Sequence, residues 1–108
     1  MSTKKAAIQK QTRQFLQKLN GGQLTFGQLL TAIREAEEVS LATFAERLDI
    51  SRQHLHQIEN GAKGVSPERA LQFARTLKHS ELLFVKLALQ DLVDEAGLKA
   101  TVELKTAS

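Results

Sequence analysis

Between positions 52 and 57 this 108-residue sequence gathers five hydrogen-bonding side chains: Arg52, Gln53, His54, His56 and Gln57. Arg can grip guanine through two parallel bonds and Gln can do the same for adenine. In a major groove each such pairing gives roughly 1–3 kcal/mol of base discrimination. The plainer reading of the same stretch is a solvated helix face. His54 and His56 are two apart, so on a helix they diverge, and with no third ligand nearby they are not expected to hold a metal. Glu35, Glu37 and Glu38 bring three carboxylates together, but at a helix end, with no Ser/His/Asp set and no phosphate-cradling loop elsewhere. They read as surface charge. The sequence has no cysteine, which removes disulfides, thiolate zinc sites and thiol nucleophiles. No cofactor is expected, and the chain is not expected to be an enzyme.

Positioning such a face requires short helices, and the composition agrees: one proline, six glycines, and apolar residues recurring at three and four spacings predict a mostly helical protein. A first helix is expected from about Thr3 to Leu19, stopped by Asn20-Gly21-Gly22. Thr25 with Gln28 forms a capping box for a second, with Phe26, Leu29, Leu30, Ile33 and Ala36 inward, ending near Glu38. Ser40 and Ser51 are N-caps for two short helices, to Leu48 and to about Glu59, separated only by Asp49 and Ile50. Ser66 with Pro67 starts a further helix, burying Ala70, Leu71, Phe73, Ala74 and Leu77. Ser80 starts the last, to Ala96, closed by Gly97. Beyond it Ala100, Val102 and Leu104 alternate with polar residues, the period of a strand.

The pair from Leu41 to Glu59 is the informative part, because so tight a turn makes its helices cross steeply over one small contact. Ala45 supplies the small residue there, Phe44 and Leu48 fill the first inner face, Ile50 plugs the turn, and Leu55 and Ile58 fill the second. That is the spacing of a helix-turn-helix. With Phe44-Ala45-Glu46-Arg47-Leu48, Ile50-Ser51-Arg52 and Ile58-Glu59-Asn60-Gly61, the chain resembles the Xre-type, phage-repressor-like helix-turn-helix family over Phe26 to Leu77. The resemblance implies an all-α, five-helix domain whose second short helix enters the major groove. It assigns base contact to Arg52, Gln53 and Gln57, with His54 and His56 beside them. It assigns phosphate contact to Ser51, Asn60, Gly61 and Lys63, through backbone amides near Asn60-Gly61, and it makes Arg34 and Glu59 a structural pair. Three positions depart from the family pattern: Leu41 stands where Gln is frequent, and Asp49 and Glu38 where Gly is usual.

Charge is distributed unevenly. The net +3 resolves into +6 over residues 1–34, −1 over 35–78 and −2 over 79–108. The leading segment, with Lys4, Lys5, Lys10, Arg13 and Lys18, is either a solubilising tail or an arm on the phosphate backbone, and composition does not choose between them. Nine of the twelve residues from Leu82 to Val93 are apolar, more than one packed side needs. Leu82, Val85, Leu89, Leu92 and Val93 are therefore expected to form a homodimer interface, with a central core helix as the bland alternative.

The chain accordingly divides into a basic extension (1–22), the helix-turn-helix domain (23–79) and an apolar helix with a strand or tail (80–108). No run approaches the roughly 18 apolar residues of a membrane span, so a cytoplasmic protein is expected. The function this predicts is a repressor that binds double-stranded DNA as a homodimer on a palindromic operator. The alternatives are an antitoxin that represses its own operon and grips a toxin, or a protein-interaction module that no longer binds DNA, to which Leu41 is the best pointer.

Overall fold

The computed structural model describes residues 24–107. Five helices follow one another, all opened by hydroxyl caps: α1 Phe26–Ala36, α2 Leu41–Arg47, α3 Arg52–Glu59, α4 Pro67–Leu77 and α5 Glu81–Glu95. The Thr25 hydroxyl accepts from the Gln28 amide at 3.1 Å while the Gln28 side chain accepts from the Thr25 amide at 3.0 Å, a reciprocal capping box. Ser40, Ser51, Ser66 and Ser80 each accept one backbone N–H from the first turn that follows. Such caps contribute about 1 kcal/mol apiece. The helices end within two residues of the predicted stops, and Glu38 and Asp49, where glycine is usual, take left-handed backbone at φ 56° and 57°.

One core joins all five helices. Phe26, Leu29, Leu30 and Ile33 of α1, Phe44 and Ala45 of α2, Leu55 and Ile58 of α3, Ala70, Phe73 and Ala74 of α4, and Phe84, Leu87 and Ala88 of α5 are buried together. Phe26 is the hub, edge-on to Phe84 with ring centroids 5.5 Å apart and tilted against Phe73 at 6.4 Å. Gly27 lets α1 meet α3 backbone to backbone, since a β-carbon there would strike the Ile58 carbonyl oxygen. The apolar pattern did not reveal this approach. The inner side of α5 belongs to the same core as the helix-turn-helix.

Of the two expected forms of the C-terminal segment, strand or tail, the structure has the tail. Residues 98–107 form no strand, and no strand occurs among the described residues. The reason is a missing partner strand. The Gln90 side chain takes that partner's place: its Nε2 donates to the Ala100 carbonyl at 2.8 Å and its Oε1 accepts from the Val102 amide at 2.7 Å. Those two backbone groups point to the same edge of an extended chain, so one amide side chain supplies a single rung of a ladder. The period of two was real, but it describes an extended segment lying on a helix. The predicted helix from Thr3 to Leu19 lies outside the described residues.

Candidate nucleic-acid interface

The hydrophobic pair Leu55 and Ile58 anchors α3 in the core and thereby decides what faces outward. Arg52, Gln53 and His56 are exposed, while His54 and Gln57 are partly covered. Five predicted contact residues thus split into three open side chains and two flanking ones. Ser51 caps α3 through its oxygen, which leaves its hydroxyl proton free to donate outward.

Behind α3, Arg34 holds the helix from the other side. Its Nε and Nη2 donate to the two Glu59 carboxylate oxygens at 2.8 and 3.0 Å, and its Nη1 donates to the Val39 carbonyl at 3.1 Å. The two side chains are 17% and 8% exposed, dry enough for the fork geometry to matter. Bonding to Glu59 holds the Arg34 guanidinium above its ordinary pKa against the opposing effect of burial. The pair ties α1, the α1–α2 turn and α3 into one unit.

The turn after α3 uses more of its own groups than the sequence implied. The amides of Gly61, Ala62 and Lys63 all donate inward, to Ile58 and Gln57 carbonyls, and the Asn60 side chain accepts from the Ala62 amide at 3.0 Å. Gly61 closes the turn at φ 82°. The backbone amides assigned to phosphate are thus occupied within the turn, because its tight curl points them at α3. What remains to meet a phosphate is the Lys63 ammonium, the Ser51 hydroxyl and the Asn60 amide hydrogens.

Arg69 joins them, and the sequence reading missed it. Burial chiefly, then the charges of Arg69 and Lys63, lower the pKa of His54, which places both cations in the field of α3. Arg69 sits in the first turn of α4, exposed, its amide bonded to Ser66. No local signal marks it, since only the fold brings the charge of Arg69 within electrostatic reach of His54. At the other end of the motif, Leu41 packs against the core rather than reaching outward, so the fold absorbs this departure from the family pattern.

Residues 25–83 match the model of a family described as a helix-turn-helix domain, more than half of the chain. The chain belongs to that family. The match spans α1 to α4 and enters α5, and it agrees with the Xre-type resemblance in the same region. A helix-turn-helix domain points to a DNA-binding regulator. No curated protein and no solved structure matches the chain. Among the described residues no helix is long and apolar enough to cross a membrane, and no group of three or more His, Asp or Glu could hold a metal ion.

Proposed function

We infer that the protein is a sequence-specific transcriptional repressor, acting by occupancy rather than catalysis, that binds double-stranded DNA with α3 in the major groove. The observation that carries this reading is the orientation of α3: Leu55 and Ile58 are fully buried while Arg52, Gln53 and His56 stand open on the opposite side. Arg52 and Gln53 read base edges, with Gln57, His54 and His56 at the margins. Ser51, Asn60, Lys63 and Arg69 hold phosphates and set the register.

A second observation supports a homodimer on a palindromic operator. The buried Phe84, Leu87 and Ala88 fix the inner side of α5 and turn Leu82, Val85, Leu89, Leu92 and Val93 toward the remaining side. Leu82 and Leu92 are 48% exposed. A two-fold pair of such domains would present two α3 helices to half-sites about one DNA turn apart.

Selection of the full-length protein against a random duplex library, followed by titration of the enriched duplex, tests the reading. Arg52→Ala and Gln53→Ala should each weaken binding to the selected duplex by roughly 1–3 kcal/mol while leaving non-specific binding nearly unchanged. Enrichment of no sequence, or full affinity in the double variant, would refute it.

A further inference from the structure

Where α1, the α3–α4 turn and the C-terminal half of α5 meet, they leave a groove of about 320 Å³. Its floor is apolar, made by the buried Phe26, Ile58, Val65 and Ala88, and Leu92 stands at its edge, 48% exposed. Gly64 leaves one wall bare. A β-carbon there would meet nothing within 4 Å, and the residue does not take positive φ. Neither crowding nor backbone conformation among the described residues calls for glycine at this position, and the missing side chain keeps the groove open.

The rim is acidic, with Asp91, Asp94 and Glu95 of α5 set against one cation, Lys63. Asp91 accepts the Phe26 amide and Asp94 accepts from the Gln90 side chain at 2.9 Å, but both donors are neutral and leave the charges uncancelled. Among the described residues none of the three carboxylates is in an ion pair. A fitting occupant therefore combines apolar side chains with positive charge. Residues 1–23 have that composition: Lys4, Lys5, Lys10, Arg13 and Lys18 with no acid, and Phe15, Leu16 and Leu19 close to the junction. They join the described chain at Leu24, and the next two residues, Thr25 and Phe26, themselves line the groove. The link from Leu19 to Leu24 can extend to about 17 Å, and Asn20-Gly21-Gly22 within it is a sequence that turns readily. Tethering favours this occupant over a separate protein of like chemistry. A short linker gives an effective concentration of about millimolar, at which even a weak seat is filled.

We propose that this groove is the seat of the chain's own N-terminal segment, with Phe15, Leu16 and Leu19 over Leu92 and the apolar floor and with Arg13 and Lys18 against Asp94 and Glu95. The seat depends on neither the repressor reading nor the homodimer reading. It adds to the former an origin for the basic segment. Lys63 lines the same groove, so a seated segment brings Lys4, Lys5 and Lys10 into the neighbourhood of a residue assigned to phosphate.

The sequence has no cysteine, so Gln17→Cys gives the full-length chain a single site for a nitroxide spin label. The amide signals of Val65 and Leu92 in the groove are compared with those of α2, which lines no part of it. With the seat filled by its tethered segment, the Val65 and Leu92 signals should fall at least about twofold while those of α2 persist. Nearness to Leu24 also dims signals, and charge separates the two causes. Asp94→Lys/Glu95→Lys should restore most of the lost intensity, and adding Arg13→Glu/Lys18→Glu should remove it again. The new lysines stand at the C-terminal end of α5, where positive charge suits a helix, so the fold is kept. Gly64→Phe, which fills the groove from its bare wall, should restore the signals with every charge in place. Groove signals no dimmer than those of α2, or dimming that survives both the charge reversal and Gly64→Phe, would overturn the proposal. So would a combined exchange that fails to return the dimming. In a mixture of spin-labelled chains with unlabelled, isotope-enriched ones the groove signals should stay intact; their loss would mean that a second copy supplies the segment, and would overturn a seat within one chain.

Discussion

Asp91 shows how one side chain balances opposed effects. Its carboxylate accepts the Phe26 amide at 3.1 Å, at the N-terminal end of α1, where a negative charge is welcome. Burial nevertheless outweighs that bond, and Asp94 and Glu95 add like charge, so its pKa lies above the ordinary carboxylate value. A folded pKa raised above the unfolded one means that the native state binds the proton more tightly. Stability from this group is therefore greatest in acid and falls as pH rises from the unfolded value through the folded one. Asp91→Asn, which keeps an oxygen for Phe26, should flatten that part of the stability–pH curve and leave the variant more stable than the parent at neutral pH. Urea titrations at acid and neutral pH check this, and a parent more stable than the variant at neutral pH would contradict it. Arg34 tests the opposite case. Arg34→Ala removes three bonds and leaves the nearly buried Glu59 carboxylate without its partner, an expected loss of about 2–4 kcal/mol in urea unfolding.

Among the helices, backbone conformation at the joints decides more than propensity within them. Glu38 and Asp49 hold left-handed backbone at the two turns that set α2 between α1 and α3. A side chain there costs roughly 1–2 kcal/mol, part of which glycine would return after its own extra entropy loss. Asp49→Gly and Glu38→Gly are each expected to raise stability by about 0.5–1 kcal/mol, read as a higher urea midpoint at unchanged slope. Gly27→Ala should do the reverse. Its β-carbon would enter the Ile58 carbonyl, and backbone cannot step aside as a side-chain tip can, so α1 and α3 must part. Because α3 carries the proposed reading face, that variant should lose DNA affinity as well as stability.

For the molecule as a whole, charge and recognition are separated. The segment that carries the reading face sums to −1, and the surplus lies in the first 34 residues. Affinity drawn from counterion release should therefore come from Lys63 and Arg69, whose charges reach His54 of α3, and from the basic N-terminal segment. Lys63→Ala should lower the slope of log affinity against log salt by about 1 with base preference unchanged. Deleting residues 2–19 should make the slope shallower still, and an unchanged slope would remove that segment from the contact with DNA.

Much of this could be read from the sequence, for local reasons. Helix starts at Thr25, Ser40, Ser51, Ser66 and Ser80 follow from a hydroxyl meeting an amide two or three residues on. The inner faces of α1 to α4 follow from helical periodicity. The spacing from Phe44 to Ile58 identified the helix-turn-helix because a tight turn admits few residue sizes. What escaped were relations between residues far apart in the chain. Sequence alone could not tell that Gly27 meets the Ile58 backbone, that the charge of Arg69 reaches His54, or that the amides after Asn60 curl inward. Nor could it tell that an alternating tail finds one glutamine instead of a strand. Period and capping are properties of neighbours along the chain and are written there. Which polar groups remain open to a phosphate, and what lies against α5, depend on how the helices pack, and only the tertiary structure decides them.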